Sequence, residues 1–172
     1  MTGTGTNAAA IVIPHLAQTL AGPYRQREDL ETQIEALVTE HPLYPALISM
    51  PGVGLRTSAV IIAELAGKHF ESAAHLASYA GLTPRTRQSG TSIKSETVSH
   101  TGNKRLKRAL FFSAFASLRT DPTSRHYYDK KRLAGKRHNQ TIIALAHKRL
   151  AVIFAMLREG RLYETQPTKA AA

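Results

Sequence analysis

Between Leu82 and Arg108 the chain cannot run as one long helix, and the remaining segments must fold around that interruption. Pro84, Gly90, Gly102 and Asn103 punctuate the stretch with residues that favour turns. Arg85, Arg87, Lys94, Lys104, Arg105, Lys107 and Arg108 recur through it, with the small hydroxyl residues Thr86, Ser89, Thr91, Ser92 and Ser95 between them. A serine beside a glycine and flanked by arginines, as Ser89 is, suits a hydroxyl that attacks a phosphodiester. A loop that only positions DNA needs much the same residues, and a serine in such a turn also serves to bond the backbone. Thr91–Val98 alternates too poorly to fix a strand, so residues 84–98 are expected as an irregular loop or a short β-ribbon.

On both sides of this stretch the periodicity is helical, and the fold class is mainly α. Residues 1–22 read as a small, polar tail followed by a short helix, Ile11–Leu20, interrupted near Gly22-Pro23. Residues 23–46 read as a connector built on a helix from Arg25 to Glu40, with Leu30, Ile34 and Leu37 on one stripe and His41-Pro42 as its end. That stripe suits packing on its own domain or pairing with a second chain. Tyr44–Leu65 then has the form of a helix-hairpin-helix: a short helix, the turn Pro51-Gly52-Val53-Gly54, and a second helix from about Arg56. Gly52 and Gly54 allow close approach of a phosphate backbone, and the amides opening the second helix carry the positive end of its dipole.

Further helices follow. Phe70–Ala80 has Ser72 as N-cap and Gly81 as its stop. Lys104–Leu118 turns Leu106, Leu110, Ser113 and Ala114 to one side, with Phe111, Phe112 and Phe115 widening the apolar surface. Lys104, Arg105, Lys107 and Arg108 crowd its first turn, where the helix dipole favours acids, and a bound anion would relieve that conflict. Asp121-Pro122 opens a helix to Leu133, and a last helix from Asn139 or Thr141 runs to Gly160 with Ile142, Leu145, Ala146, Leu150, Ile153, Phe154 and Leu157 apolar. Residues 47–163 form the main domain and 164–172 a flexible tail, with no linker long enough to separate independent domains.

Charge is unevenly placed. Residues 1–80 hold 4 Lys and Arg against 7 Asp and Glu, whereas residues 81–172 hold 19 against 5. A field of that sign attracts polyanions, and nucleic acid is the first candidate. Without cysteine the chain has no disulfide framework and no thiolate metal site. The histidines are scattered and the carboxylates do not cluster, so no metal site is expected within this chain. No signal peptide opens it, no apolar run is expected to reach the length of a membrane span, and the expected location is cytoplasmic.

The landmarks Ile48-Ser-Met-Pro-Gly-Val-Gly, Phe70–Arg85, Gln88-Ser-Gly, Gly102–Leu110 and Arg158-Glu-Gly-Arg-Leu-Tyr occur in one order. Together they resemble the C-terminal transposase domain of the DEDD insertion-sequence transposases, the bridge-RNA-guided serine recombinases. Residues 24–41 resemble that family's coiled-coil connector, which implies a homo-oligomer. The resemblance implies that Ser89 is a nucleophile that becomes joined to DNA, in transposition or recombination. It implies Mg2+ held by four acidic ligands of an N-terminal RuvC-like domain, which this chain does not contain, so that catalysis would need that domain supplied. DNA is the implied partner, and a structured guide RNA is a second candidate. Arg85, Arg87 and Lys94 would steady the scissile phosphate, while Gly52, Gly54 and the 104–108 cluster would hold backbone. Two other readings stay open: a binding module without chemistry, in which Ser89 is a turn residue and Ser92 competes as the better placed hydroxyl, and a remnant that folds without a role.

Overall fold

A computed structural model describes residues 3–88, 94–98 and 101–164. The chain divides into two compact units, residues 1–40 and 41–172. The first is a single helix, α1 (Gly3–Thr39), which starts well before the expected Ile11 and does not break at Gly22-Pro23. Two features ease the passage through Pro23, and the helix runs through Pro14 as well. Gly22 has no β-carbon to collide with the Pro23 ring, so the residue before the proline can keep helical backbone. The proline itself removes one hydrogen bond without ending the helix. Ile13, Leu16, Leu20, Leu30, Ile34 and Leu37 are all exposed on α1.

The second unit contains α2 (Tyr44–Ile48), α3 (Leu55–Leu65), α4 (Ala73–Tyr79), β1 (Pro84–Gln88), β2 (Lys94–Val98), α5 (Lys104–Thr120), α6 (Pro122–Leu133) and α7 (His138–Glu159). The fold is mainly α, as the periodicity predicts. Helix α2, the short first helix of the expected hairpin, packs on α3 and α7. Both α5 and α7 lie at the centre: α5 packs on α3, α6 and α7, and α7 also receives α4. Leu106, Leu110 and Ala114 of α5 meet an interior that includes Ile142, Leu145, Leu150 and Ile153 of α7, all buried. Each such large apolar side chain stabilises the unit by about 1.5–3 kcal/mol relative to exposure.

The apolar face of α5 is narrower than the sequence suggests. Leu106, Leu110, Ser113 and Ala114 point inward as expected, but Phe112 and Phe115 remain 50% and 48% exposed on the opposite side. Helix α7 corrects the membrane expectation. It is 22 residues long, and its most apolar 18 residues have a mean hydropathy of 1.4, enough to cross a bilayer by length and composition. Its apolar residues are those of a core helix.

Caps fix most boundaries. The Ser72 hydroxyl accepts from the His75 amide, and the Asp121 carboxylate accepts from the amides of Thr123 and Ser124 with Pro122 following. Gly160 ends α7 with φ of 63°. Helix α7 starts earlier than Asn139, at His138, because Gln140 reaches back to accept from the Arg137 amide. The interrupting stretch forms a two-stranded antiparallel ribbon, with Pro84 opposite Val98 and Gln88 opposite Lys94.

Candidate nucleic-acid interface

The root of the ribbon is built from two glycines. Gly81 stops α4 with φ of 67° and Gly102 precedes α5 with φ of 96°. A β-carbon on Gly102 would lie 2.5 Å from the Gly81 nitrogen and 2.9 Å from the Tyr79 carbonyl oxygen, and one on Gly81 would strike the Thr101 carbonyl. Only glycine permits the two chain segments to meet this closely in these conformations. The Asn103 amide then donates to the Tyr79 carbonyl at 2.7 Å and closes the root.

Asn103 also organises the start of α5. Its Oδ1 accepts from the Leu106 amide at 3.0 Å as an N-cap. Its Nδ2 donates to Glu64 Oε2 at 2.5 Å and to the Tyr79 hydroxyl at 2.9 Å. One side chain therefore ties α3, α4 and α5 together beneath the ribbon. By sequence Asn103 stands only among the turn formers. An Asn directly before a helical pattern is an N-cap signal, and its partners Glu64 and Tyr79 lie too far away in sequence to be seen.

Within the 104–108 cluster the cations divide. Lys104, Arg105 and Arg108 are exposed, whereas Lys107 is half-buried and burial pushes its ammonium pKa down. Arg105 approaches Glu64 Oε1 at 3.9 Å, but its side chain is 87% exposed, so the pair adds little stability. The Arg108 guanidinium lies 5.6 Å from the centre of the Phe112 ring. No acidic residue occurs anywhere along α5 to balance these charges.

The Pro51–Gly54 turn gives its two glycines different tasks. Gly52 has φ of 78°, and a β-carbon there would lie 2.5 Å from the Ser113 carbonyl oxygen and 2.6 Å from the Ser117 amide nitrogen. Its requirement for glycine comes from packing against α5 rather than from an open approach to a ligand. Gly54 is exposed, and a β-carbon on it would meet nothing within 4 Å. It precedes α3, whose first turn has no side-chain cap. Of the two, Gly54 is the exposed one, at the amides that open α3.

A buried arginine that the sequence does not single out holds this turn. Arg149 of α7, with its side chain 4% exposed, donates through Nη2 to the Pro51 carbonyl and to Ser113 Oγ, the latter at 3.1 Å. Its Nη1 lies 4.0 Å from Asp121 Oδ2 and 3.4 Å from Ser124 Oγ. Burial pushes the guanidinium pKa down to about 10 against the opposing pull of Asp121. Periodicity places Arg149 beside buried Leu150 and Leu145, but an arginine directly after Lys148 gives no sequence signal of burial.

The remaining expected residues fall on the ribbon. Arg85 and Arg87 lie on β1, and Lys94 opens β2 opposite Gln88. Ser89 and Ser92 lie outside the described residues. A cleft of about 460 Å3 between α6, α7 and residues 161–164 is lined by Tyr127, Arg149, Met156 and Tyr163 among others, and by none of the expected site residues. Among the described residues no three His, Asp or Glu side chains gather to hold a metal ion, so the chain's described groups do not fit the implied magnesium.

Fold and site together define a helical domain that sets a short ribbon beside a cationic helix start. The chain belongs to the IS116/IS110/IS902 transposase family, whose model matches residues 44–129, half of the chain. It is 53% identical over 163 residues to the 43.6 kDa protein of insertion element IS110 from Streptomyces coelicolor, covering 94% of this chain and 40% of that protein. It is 40% identical over 170 residues to the 42 kDa protein of insertion element IS900 from Mycobacterium paratuberculosis, covering 98% of this chain and 43% of the relative. A pilin gene-inverting protein of Moraxella bovis is 37% identical over 121 residues, 69% of this chain and 38% of the relative. The chain spans about two-fifths of the length of these relatives.

Proposed function

We propose that this chain is the DNA-handling part of a transposase or site-specific recombinase, with Ser89 as the nucleophile. The observation that carries the reading is the shared root: the ribbon bearing Arg85, Arg87 and Lys94 emerges from the Gly81–Gly102 junction, directly before the cationic start of α5. A strand gripped by Lys104, Arg105 and Arg108 would have its backbone held near that ribbon, and the amides after Gly54, at the other end of α3, would offer a separate backbone contact. Gene inversion, named for the Moraxella relative, is chemistry of the same kind.

In the proposed step Ser89 Oγ attacks the scissile phosphorus. An Oγ–P bond forms, the ester bond to the leaving strand breaks, and the serine proton passes on balance to the leaving hydroxyl. Arg85, Arg87 and Lys94 would stabilise the charge on the non-bridging oxygens. The divalent metal of such chemistry would be held by carboxylates of a RuvC-like domain, since the described residues gather none. A structured guide RNA and pairing of two copies through residues 24–41 belong to the same proposal. The continuous α1 supports the pairing. Its exposed apolar residues Ile13, Leu16 and Leu20 lie in the same three-and-four rhythm as Leu30, Ile34 and Leu37, with Pro23 and Arg27 at the intervening positions.

The decisive experiment supplies the chain, joined to the RuvC-like domain, with a DNA substrate and looks for a covalent protein–DNA species. Ser89→Ala is expected to abolish both that species and transposition. An adduct of normal yield in Ser89→Ala would move the attack to another hydroxyl, Ser92 first, whereas a wild-type chain that forms no adduct on its own residues would favour a second reading, a binding module without its own chemistry. That reading draws on the same cationic surfaces and on the absence of an acidic cluster among the described residues.

A further inference from the structure

The exposed face of α5 does something that cations alone do not require. Arg105, Arg108, Phe112, Phe115 and Arg119 follow one another at spacings of three, four, three and four, and all five are exposed. At about 100° per residue they fall within an arc of about 80°, roughly opposite the buried line through Leu106, Leu110, Ser113 and Ser117. Phe112 and Phe115 are therefore neighbours on the solvent side, one turn apart. Neither fills the core.

Their surroundings are built for planar, negatively charged partners. The Arg108 guanidinium is placed over the Phe112 ring. On the other flank, His138 meets Phe115 edge-on, with ring centres 6.1 Å apart and planes at 88°. His138 is itself held by a 2.7 Å hydrogen bond between its Nδ1 and the Tyr128 hydroxyl. Two half-exposed rings thus sit between an arginine and a fixed imidazole, on a helix without a single acid.

We propose that the Arg105–Arg108–Phe112–Phe115–Arg119 face is a stacking platform for the bases of an unpaired nucleic-acid strand. Phosphates would run along the arginines while successive bases lie on Phe112 and Phe115. A closed duplex hides its base faces and shows only their edges in the grooves, so stacking on the two phenylalanines is open to an unpaired strand alone. An apolar protein partner would bury the rings but also desolvate Arg105, Arg108 and Arg119. Charge complementarity favours the strand. This inference goes beyond the recombination reading and does not depend on Ser89 chemistry.

The test uses the whole chain and fluorescence anisotropy with an oligothymidylate of about a dozen nucleotides, an oligouridylate of equal length and a matched duplex. Phe112→Ala with Phe115→Ala is expected to weaken single-strand binding by about thirty-fold or more while changing duplex affinity less than about two-fold. Because the chain contains no tryptophan, Phe112→Trp supplies a single reporter that keeps an aromatic ring in place. The indole emission of that variant should be quenched on saturation with a single strand and not with the duplex. Quenching by the thymidylate more than the uridylate names DNA as the source, and the reverse names RNA; either supports the platform. Equal weakening on all three nucleic acids, or unchanged indole emission from the Phe112→Trp variant while anisotropy saturates, would overturn it. So would self-association that the double alanine variant abolishes without altering single-strand binding, which would assign the face to a second protein chain.

Discussion

At Gly52 a β-carbon would strike the backbone of α5, while at Gly54, two residues on, it would project into open space. The same turn therefore yields two separable outcomes. Gly52→Ala combines a positive φ with overpacking and is expected to cost about 2–4 kcal/mol of stability, measured by urea unfolding. Gly54→Ala should unfold at nearly the wild-type midpoint yet bind duplex DNA more weakly if a strand approaches the start of α3 there, since the added methyl group takes up open space beside it. Equal stability losses in both would show that the turn is only a packing device. Arg149→Ala would strand the Pro51 carbonyl, Ser113 and the Asp121 carboxylate in the interior, and the expected loss is about 3–5 kcal/mol in the same experiment. The sequence shows both glycines and what a turn can do with them. It does not show that α5 occupies the space beside one of them, since Ser113 and Ser117 lie some sixty residues away.

Helices α5 and α1 illustrate how far periodicity reaches. The inward line of α5 is legible because Leu106, Leu110, Ser113 and Ala114 recur with the helical period. Phe112 and Phe115 read as part of the same surface, since hydrophobicity alone does not distinguish a ring that fills a core from one that faces solvent. The N-caps Ser72 and Asp121 are legible for a local reason: cap and capped amide are only two or three residues apart. In α1 the Gly22-Pro23 pair suggests a break, yet the helix runs through it as it runs through Ile13-Pro14. Its exposed stripe makes a firm prediction. Leu30→Asp with Ile34→Asp should convert an oligomer into a monomer in light scattering at any concentration where wild type is associated, with the helical signal of residues 41–164 retained. A wild-type chain that stays monomeric at high concentration would remove the pairing role from α1.

For the molecule as a whole, the order of landmarks and the change from an acidic to a basic half point to a polyanion partner from the sequence alone. What the sequence hides is how the ribbon is rooted. Gly81, Gly102, Asn103, Glu64 and Tyr79 are spread along some forty residues, and only the folded chain brings them together. Placing Lys107 partly inside also changes which charges can be offered to DNA. The measurement that tests the account most directly is the salt dependence of duplex binding for wild type beside Lys104→Ala/Arg105→Ala/Arg108→Ala, the three cations exposed at the start of α5. Wild-type affinity should fall steeply with salt, and the variant's log–log slope should be shallower by roughly two to three, about one for each phosphate that is no longer neutralised. An unchanged slope in the variant, or no wild-type binding at low salt, would contradict the account and leave the α5 start as a solvated basic surface.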